Sequence, residues 1–106
     1  MKLFKKNKVK IAKVIAIDFD GVLSEGECWT PDDVLNAKPR LNVIKRVNEL
    51  SKTKFIVILT ARRDHLIPAS LVWLRKHNVM YHSISNIKMP FDLLVDDKVM
   101  DVNDFI

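Results

Sequence analysis

Val14-Ile15-Ala16-Ile17-Asp18-Phe19-Asp20-Gly21-Val22-Leu23 runs from an apolar segment straight into two acids and a glycine. Four consecutive apolar residues without polar alternation read as a strand buried on both faces. On a strand, residues i and i+2 point to the same side, so Asp18 and Asp20 are expected together. Two carboxylates that close repel. A cation between them, or a proton on one of them, relieves the repulsion. Asp-Gly is also a common hairpin pair, which leaves an ordinary turn as the competing reading of this stretch taken alone.

Working outward, two more apolar runs end in polar groups. Phe55-Ile56-Val57-Ile58-Leu59 leads into Thr60, and Phe91-Asp92-Leu93-Leu94-Val95 leads into Asp96-Asp97, with Lys88 between the two. The pattern predicts strands over 13–19, 54–60, 79–84 and 92–96. A helix is expected over 39–52, with Pro39 in its first turn and Leu41, Ile44, Val47 and Leu50 on its inner face. A second helix is expected from Asp64, as its cap, to about His77. Leu66, Ala69, Trp73 and Leu74 form its inner face, and Pro68 lies in its first turn. Residues 21–36 read as a loop or small flap, and Val102 to Phe105 as a last helical turn. Alternating strands and helices predict an α/β fold: a small Rossmann-like three-layer sandwich with a parallel sheet of about four strands. In such sheets ligands bind at the C-terminal ends of the strands, where the polar groups fall here.

The chain has 106 residues, of which 48% are hydrophobic. That suits one folded domain and leaves no room for a second. No apolar run approaches the ~20 residues that span a bilayer, so no membrane partner is expected. The first residues lack the apolar core and small-residue cleavage site of a secretory signal. The one cysteine, Cys28, has no internal partner for a disulfide, and a cytoplasmic location is expected. The net charge of +5 is uneven. Residues 1–13 hold six lysines and no acid, whereas the remainder is close to neutral. Residues 1–12 thus read as a basic arm on a single domain spanning 13–106. The arm either favours nucleic acid or another polyanion, or is a solvated terminus.

Asp18-Phe19-Asp20-Gly21-Val22-Leu23, then Thr60, Lys88 and Asp96-Asp97, in that order, resembles the haloacid dehalogenase superfamily of phosphotransferases. The resemblance spans residues 13–106 and includes all four motifs of that family. It implies a phosphatase that depends on Mg²⁺ and hydrolyses a phosphomonoester. Asp18 would be the nucleophile that forms an aspartyl-phosphate. Asp20 would be the acid for the leaving oxygen and then the base for water. Asp18, the Asp20 main-chain carbonyl and Asp96 would hold Mg²⁺, with Asp97 beside them. Thr60, Lys88 and the backbone near Phe19 and Ala61 would hold the phosphoryl oxygens. An Asp two places after the nucleophile accompanies phosphatases in that family, and Asp20 meets that requirement.

Each role suits its residue type. A hard cation screens the repulsion between carboxylate and phosphate. A covalent intermediate divides one difficult displacement into two easier ones. Only 39 residues separate Asp20 from Thr60, and 27 separate Thr60 from Lys88. Neither interval holds a cap domain, so the resemblance implies an open site for a large or polyanionic phosphorylated substrate: a nucleotide, a nucleic-acid end or a sugar phosphate. A missing fifth strand leaves a sheet edge that a homodimer would cover.

Other residues keep two readings. Trp29 either sorts substrates over the site or packs the flap down. Arg62 and Arg63 either reach a substrate phosphate or form a structural salt bridge. Trp73 is expected in the core. His65, His77 and His82 lack metal-ligand spacing and are expected at the surface, and Glu25 and Glu27 on a solvated flap. Lys98 is expected as a charge partner and Cys28 as a bystander. Two other functions compete with the hydrolase: a receiver-like phosphoacceptor domain and a non-catalytic, metal-stabilised nucleic-acid-binding module. The order of Lys88 before Asp96-Asp97 counts against the receiver.

Overall fold

The computed structural model describes residues 9–86, 93–95 and 105. Lys88, Asp96, Asp97, Lys98, residues 1–8 and most of the expected last turn lie outside the described residues. Val14–Asp18 forms β1, Phe55–Leu59 β2, Ser83–Ser85 β3 and Leu93–Val95 β4. They make one sheet in the order β3-β2-β1-β4, with every neighbouring pair parallel. The expected α/β class with a parallel sheet is what forms. In register, Asp18 lies opposite Leu59, and Leu59 opposite Ser85. On the other side of β1, Ile17 lies opposite Val95. The C-terminal ends therefore line up along one edge.

Ile15, Ala16 and Ile17 are wholly buried, as are Ile56, Val57 and Ile58. Successive strand residues face opposite ways, so both faces of β1 and β2 are covered. This is why these runs show no polar alternation.

Among the described residues three helices between Pro31 and Lys76 accompany the sheet. Pro31–Leu35 is α1, Leu41–Leu50 α2 and Ile67–Lys76 α3, the last preceded by a 3-10 turn at Asp64–Leu66. The first was expected as loop. It forms because Thr30 accepts from the Asp33 N–H while Asp33 accepts from the Thr30 N–H, a reciprocal cap, and Pro31 occupies the first turn. In α2 the buried face is Val43, Ile44, Val47 and Leu50, whereas Leu41 is 69% exposed. The three-residue spacing misassigned Leu41. At ~3.6 residues per turn, Leu41 and Leu50 are two and a half turns apart and lie on opposite sides. Asp64 does not cap α3; its Oδ1 accepts from Asn86 Nδ2 at 2.8 Å. Pro68 sits in the first turn as expected, and Leu66, Ala69, Trp73 and Leu74 are buried. The third strand starts later than residue 79. The Val79 and Met80 N–H groups are already used, donating to the Leu74 carbonyl and to Asn48 Oδ1.

The core reaches back into the segment read as a basic arm. Residues 9–11 are helical, and Val9 and Ala12 are buried. Lys54 Nζ donates to the carbonyls of Lys10 and Ala12, closing the end of that turn. Among the described residues no helix is long and apolar enough to cross a membrane.

Trp73 joins the core to the region of the acids. It is fully buried, its Nε1 donates to the Ala37 carbonyl at 2.9 Å, and its ring lies 5.0 Å from Phe19 and 4.5 Å from His77. Burial, helped by repulsion from Lys76, holds the His77 imidazole below its ordinary range. As pH falls, the unfolded chain then takes up this proton before the folded one does. The His77 contribution is therefore complete above about pH 6.5 and declines as pH falls. Urea midpoints of wild type should drop more between about pH 7.5 and 5 than those of His77→Gln; equal drops would contradict this account.

Candidate functional site

β1 ends at Asp18 and the chain turns at once. The carbonyl of Phe19 accepts from the N–H groups of Leu23 and Ser24 at 3.0 and 3.2 Å, and Gly21 N donates to the Ser24 carbonyl at 2.8 Å. Gly21 has φ of +83°, a region glycine enters without a Cβ penalty. The chain thus turns at Asp-Gly without making the hairpin that pair commonly forms, since both strand partners of β1 are parallel, and the turn is what aims Asp20. Phe19 points into the core against Trp73. Asp18 and Asp20 line one cavity of about 540 Å³, together with Gly21, Gly26, Glu27, Cys28, Trp29, Ala61 and Arg62. Asp18 Oδ1 accepts from the Phe19 N–H at 2.8 Å, which orients that carboxylate.

Arg62 is the organising cation. Its side chain is only 1% exposed, against 27% for Asp20. The Nη2 donates to Asp20 Oδ1 at 2.6 Å, and the Nε to Asp20 Oδ2 at 3.3 Å. The Nη1 donates to Ser70 Oγ at 2.8 Å, and Ser70 in turn donates to the Leu66 carbonyl. The guanidinium carbon lies 3.7 Å from the centroid of the Phe19 ring, a cation–π contact. Arg62 Nη2 also lies 3.5 Å from Cys28 Sγ. Burial pushes the Cys28 thiol above its usual range, against the pull of Arg62. Cys28 is thus held as a thiol at neutral pH. Of the two readings of Arg62, the salt bridge is the one observed, and its partner is the acid expected to move protons. Arg63 is exposed.

Thr60 is buried behind this layer. Its N–H donates to the Ser85 carbonyl at 3.0 Å, and its Oγ1 accepts from the Arg62 N–H at 3.0 Å. Ala61, not Thr60, reaches the cavity wall. The structure therefore brings Asp18, Asp20 and Ala61 together, places Thr60 one layer below, and leaves Lys88, Asp96 and Asp97 outside the described residues. Ser70 had not been expected at the site. Its signal was a small hydroxyl within the apolar face formed by Leu66, Ala69, Trp73 and Leu74.

The cavity wall carries three carboxylates, Asp18, Asp20 and Glu27, and one guanidinium, a net charge of −2. Oxygen donors in such a field suit a hard cation. Among the described residues no group of three His, Cys, Asp or Glu side chains gathers to hold a metal. His77 and His82 lie elsewhere, His77 against Trp73 and His82 stacked on Phe55 at 5.0 Å. Comparison of the chain with protein-family models, with curated proteins and with solved structures yields no match.

Removing the charge of Asp20 leaves the buried guanidinium without its counter-ion. Asp20→Asn should lower stability by about 3 kcal/mol, the low end for a buried pair broken on one side. Asp18→Asn keeps an Oδ1 for the Phe19 N–H and should cost much less. Denaturant titration of the two variants checks this, and equal losses would contradict it.

Proposed function

We propose that this chain is a Mg²⁺-dependent phosphomonoester hydrolase that works through an aspartyl-phosphate, on a Rossmann-like fold of the haloacid dehalogenase type. One observation carries the proposal. Asp18 and Asp20 open into a single cavity at the C-terminal edge of a parallel sheet, where α/β sheets take their ligands. The lone thiol of the chain fits a reducing cytoplasm.

In this mechanism an Asp18 oxygen forms a bond to phosphorus while the bond from phosphorus to the leaving oxygen breaks. Asp20 gives its proton to that leaving oxygen. In the second half Asp20 takes a proton from water, the water oxygen bonds to phosphorus, and the bond to Asp18 breaks to release inorganic phosphate. Each half is easier than a single displacement, and a placed acid or base contributes ~10²–10⁴-fold.

Arg62 adds a condition to the first half. Asp20 must carry its proton on one carboxyl oxygen, and an oxygen bearing a proton toward substrate gives up its contact with Arg62. The 3.3 Å contact from Nε to Oδ2 is the longer of the two, and we assign that one to open. The 2.6 Å contact then keeps the carboxyl in place. A carboxyl held this way stays aimed at the leaving group, and a misplacement of ~1 Å can cost ~10²-fold. Thr60 supports the Arg62 backbone through its Oγ1, and Ala61 lies on the cavity wall.

The donors fit Mg²⁺, which takes one or two carboxylates and leaves its remaining positions to waters and substrate oxygens. Asp18 and the Asp20 main-chain carbonyl would hold it. Asp96, next in sequence after the β4 residue Val95, would join them, with Asp97 adjacent. When bound, the ion would screen the charge of the phosphate and polarise it. Lys88 would supply the second positive charge to the phosphoryl oxygens. The cavity lies open beneath an exposed flap, which suits a phosphate on a larger molecule.

Wild type should hydrolyse a generic aryl phosphate in the presence of Mg²⁺. Asp18→Asn and chelation should each abolish the activity, and added Mg²⁺ should restore only the chelated enzyme. Equal rates for wild type and a cleanly purified Asp18→Asn would refute the proposal.

A further inference from the structure

The flap carries one feature that the hydrolytic chemistry leaves unused. Trp29 lines the same cavity as Asp18 and Asp20, yet the residue is 75% exposed. Among the described residues neither a hydrogen bond nor a ring contact holds the indole. The packing alternative for Trp29 is therefore not what the structure adopts. The other tryptophan, Trp73, is wholly buried and has both kinds of partner.

The backbone beneath the indole, by contrast, is clamped. The Trp29 and Thr30 N–H groups both donate to Asp33 Oδ2 at 3.1 Å, and the Asp33 N–H donates back to Thr30 Oγ1 at 3.1 Å. These bonds, that from Trp29 first, hold the Asp33 carboxyl below the usual carboxylate range, so the clamp persists at neutral pH. Behind it, Glu25 N donates to the Lys38 carbonyl at 2.9 Å and Arg40 N to the Leu23 carbonyl at 2.8 Å. A large apolar ring is thus presented to solvent from a fixed point on the rim of a charged cavity.

We infer that Trp29 is a stacking platform for a nucleobase, so that the substrate is a nucleoside phosphate whose phosphate reaches Asp18 while its base lies on the indole. This deepens the hydrolase proposal above and rests on it for the phosphate end. The cavity of about 540 Å³ is within the ~300–1,000 Å³ of small-molecule sites. The choice of a base over a sugar follows from the rest of the wall. Asp18, Asp20 and Arg62 are committed to the reaction centre. Gly21, Gly26, Cys28 and Ala61 offer no strong side-chain donors or acceptors, so of the lining residues only the Glu27 carboxylate is left to meet a ring of hydroxyls. Stacking needs only a π face and tolerates any base. The platform therefore selects nucleotides as a class without choosing among bases.

The test compares wild type, Trp29→Phe and Trp29→Ala on adenosine 5′-monophosphate, adenosine 3′-monophosphate, a pentanucleotide with a terminal phosphate, and glycerol phosphate. Trp29→Ala should raise KM for the nucleotide substrates about 10-fold with kcat unchanged, within the range for loss of one base stack. Trp29→Phe should keep most of the affinity, and glycerol phosphate should be unaffected by either change. Whether the monophosphates or the pentanucleotide show the larger effect identifies a free nucleotide or a strand end as the source of the base. Equal KM changes on glycerol phosphate and the nucleotides, or none on the nucleotides, would overturn the platform.

A second readout does not depend on turnover. Adding the same nucleotides to Asp18→Asn should quench the fluorescence of the exposed indole, and Trp29→Phe in that background should lose the quenching because Trp73 is buried. Quenching without hydrolysis of any substrate by wild type would retain the platform and remove the hydrolase. Hydrolysis of glycerol phosphate without quenching or a KM difference would remove the platform alone.

Discussion

A buried guanidinium is the constraint on which the rest of this structure depends. Taking a charge out of water costs several kcal/mol unless it is paired and hydrogen-bonded. Arg62 meets that cost only where three other segments converge on it. Asp20 supplies the counter-charge from the turn after β1, Ser70 a hydroxyl from α3, Phe19 a ring, and Cys28 a sulfur from the flap. Ser70 spends its own proton on the Leu66 carbonyl, so its oxygen faces Arg62 as an acceptor. The pair that orients the Asp20 carboxyl also ties the sheet edge to the helix behind it.

This arrangement joins core and cavity through a short path. The Phe19 ring lies between Arg62 and Trp73, and Trp73 is bonded to the Ala37 carbonyl just after α1. A change in packing around Trp73 thus reaches the Asp20 carboxyl through only two side chains. The flap follows a different rule. Its backbone is fixed by the Thr30–Asp33 cap and the bonds to Lys38 and Arg40, while its largest side chain faces water. Rigid backbone under an exposed ring is the form expected of a contact surface.

Much of the fold was legible because β1 and β2 are buried on both faces and so carry unbroken apolar runs. The boundaries of the two expected helices were legible to within two or three residues, and so was the inner face of α2 at Ile44, Val47 and Leu50 but not at Leu41. A three-residue spacing looks helical but drifts around the helix, which put Leu41 in water and Val43 inside. The five-residue α1 is too short to show periodicity, and only Thr30-Pro31-Asp32-Asp33 marked it. That Asp18 and Asp20 share a site was legible, but the reason was not: the strand ends at Asp18, and the turn at Gly21, not strand alternation, aims Asp20 into the cavity. The Asp20–Arg62 pair was not legible, since the partners lie 42 positions apart and only the parallel pairing of β1 with β2 brings them together. Nor was the withdrawal of Thr60 behind Ala61, which follows from the Ser85 carbonyl and Arg62 N–H claiming its polar atoms.

The central claim is that the Asp18 carboxylate becomes covalently phosphorylated, and chemical trapping tests it most directly. Wild-type protein quenched during turnover of a phosphomonoester with Mg²⁺ and reduced with borohydride should yield homoserine at position 18, identified by peptide mass spectrometry. Steady hydrolysis that leaves Asp18 unreduced, or places homoserine at another carboxylate, would contradict the account.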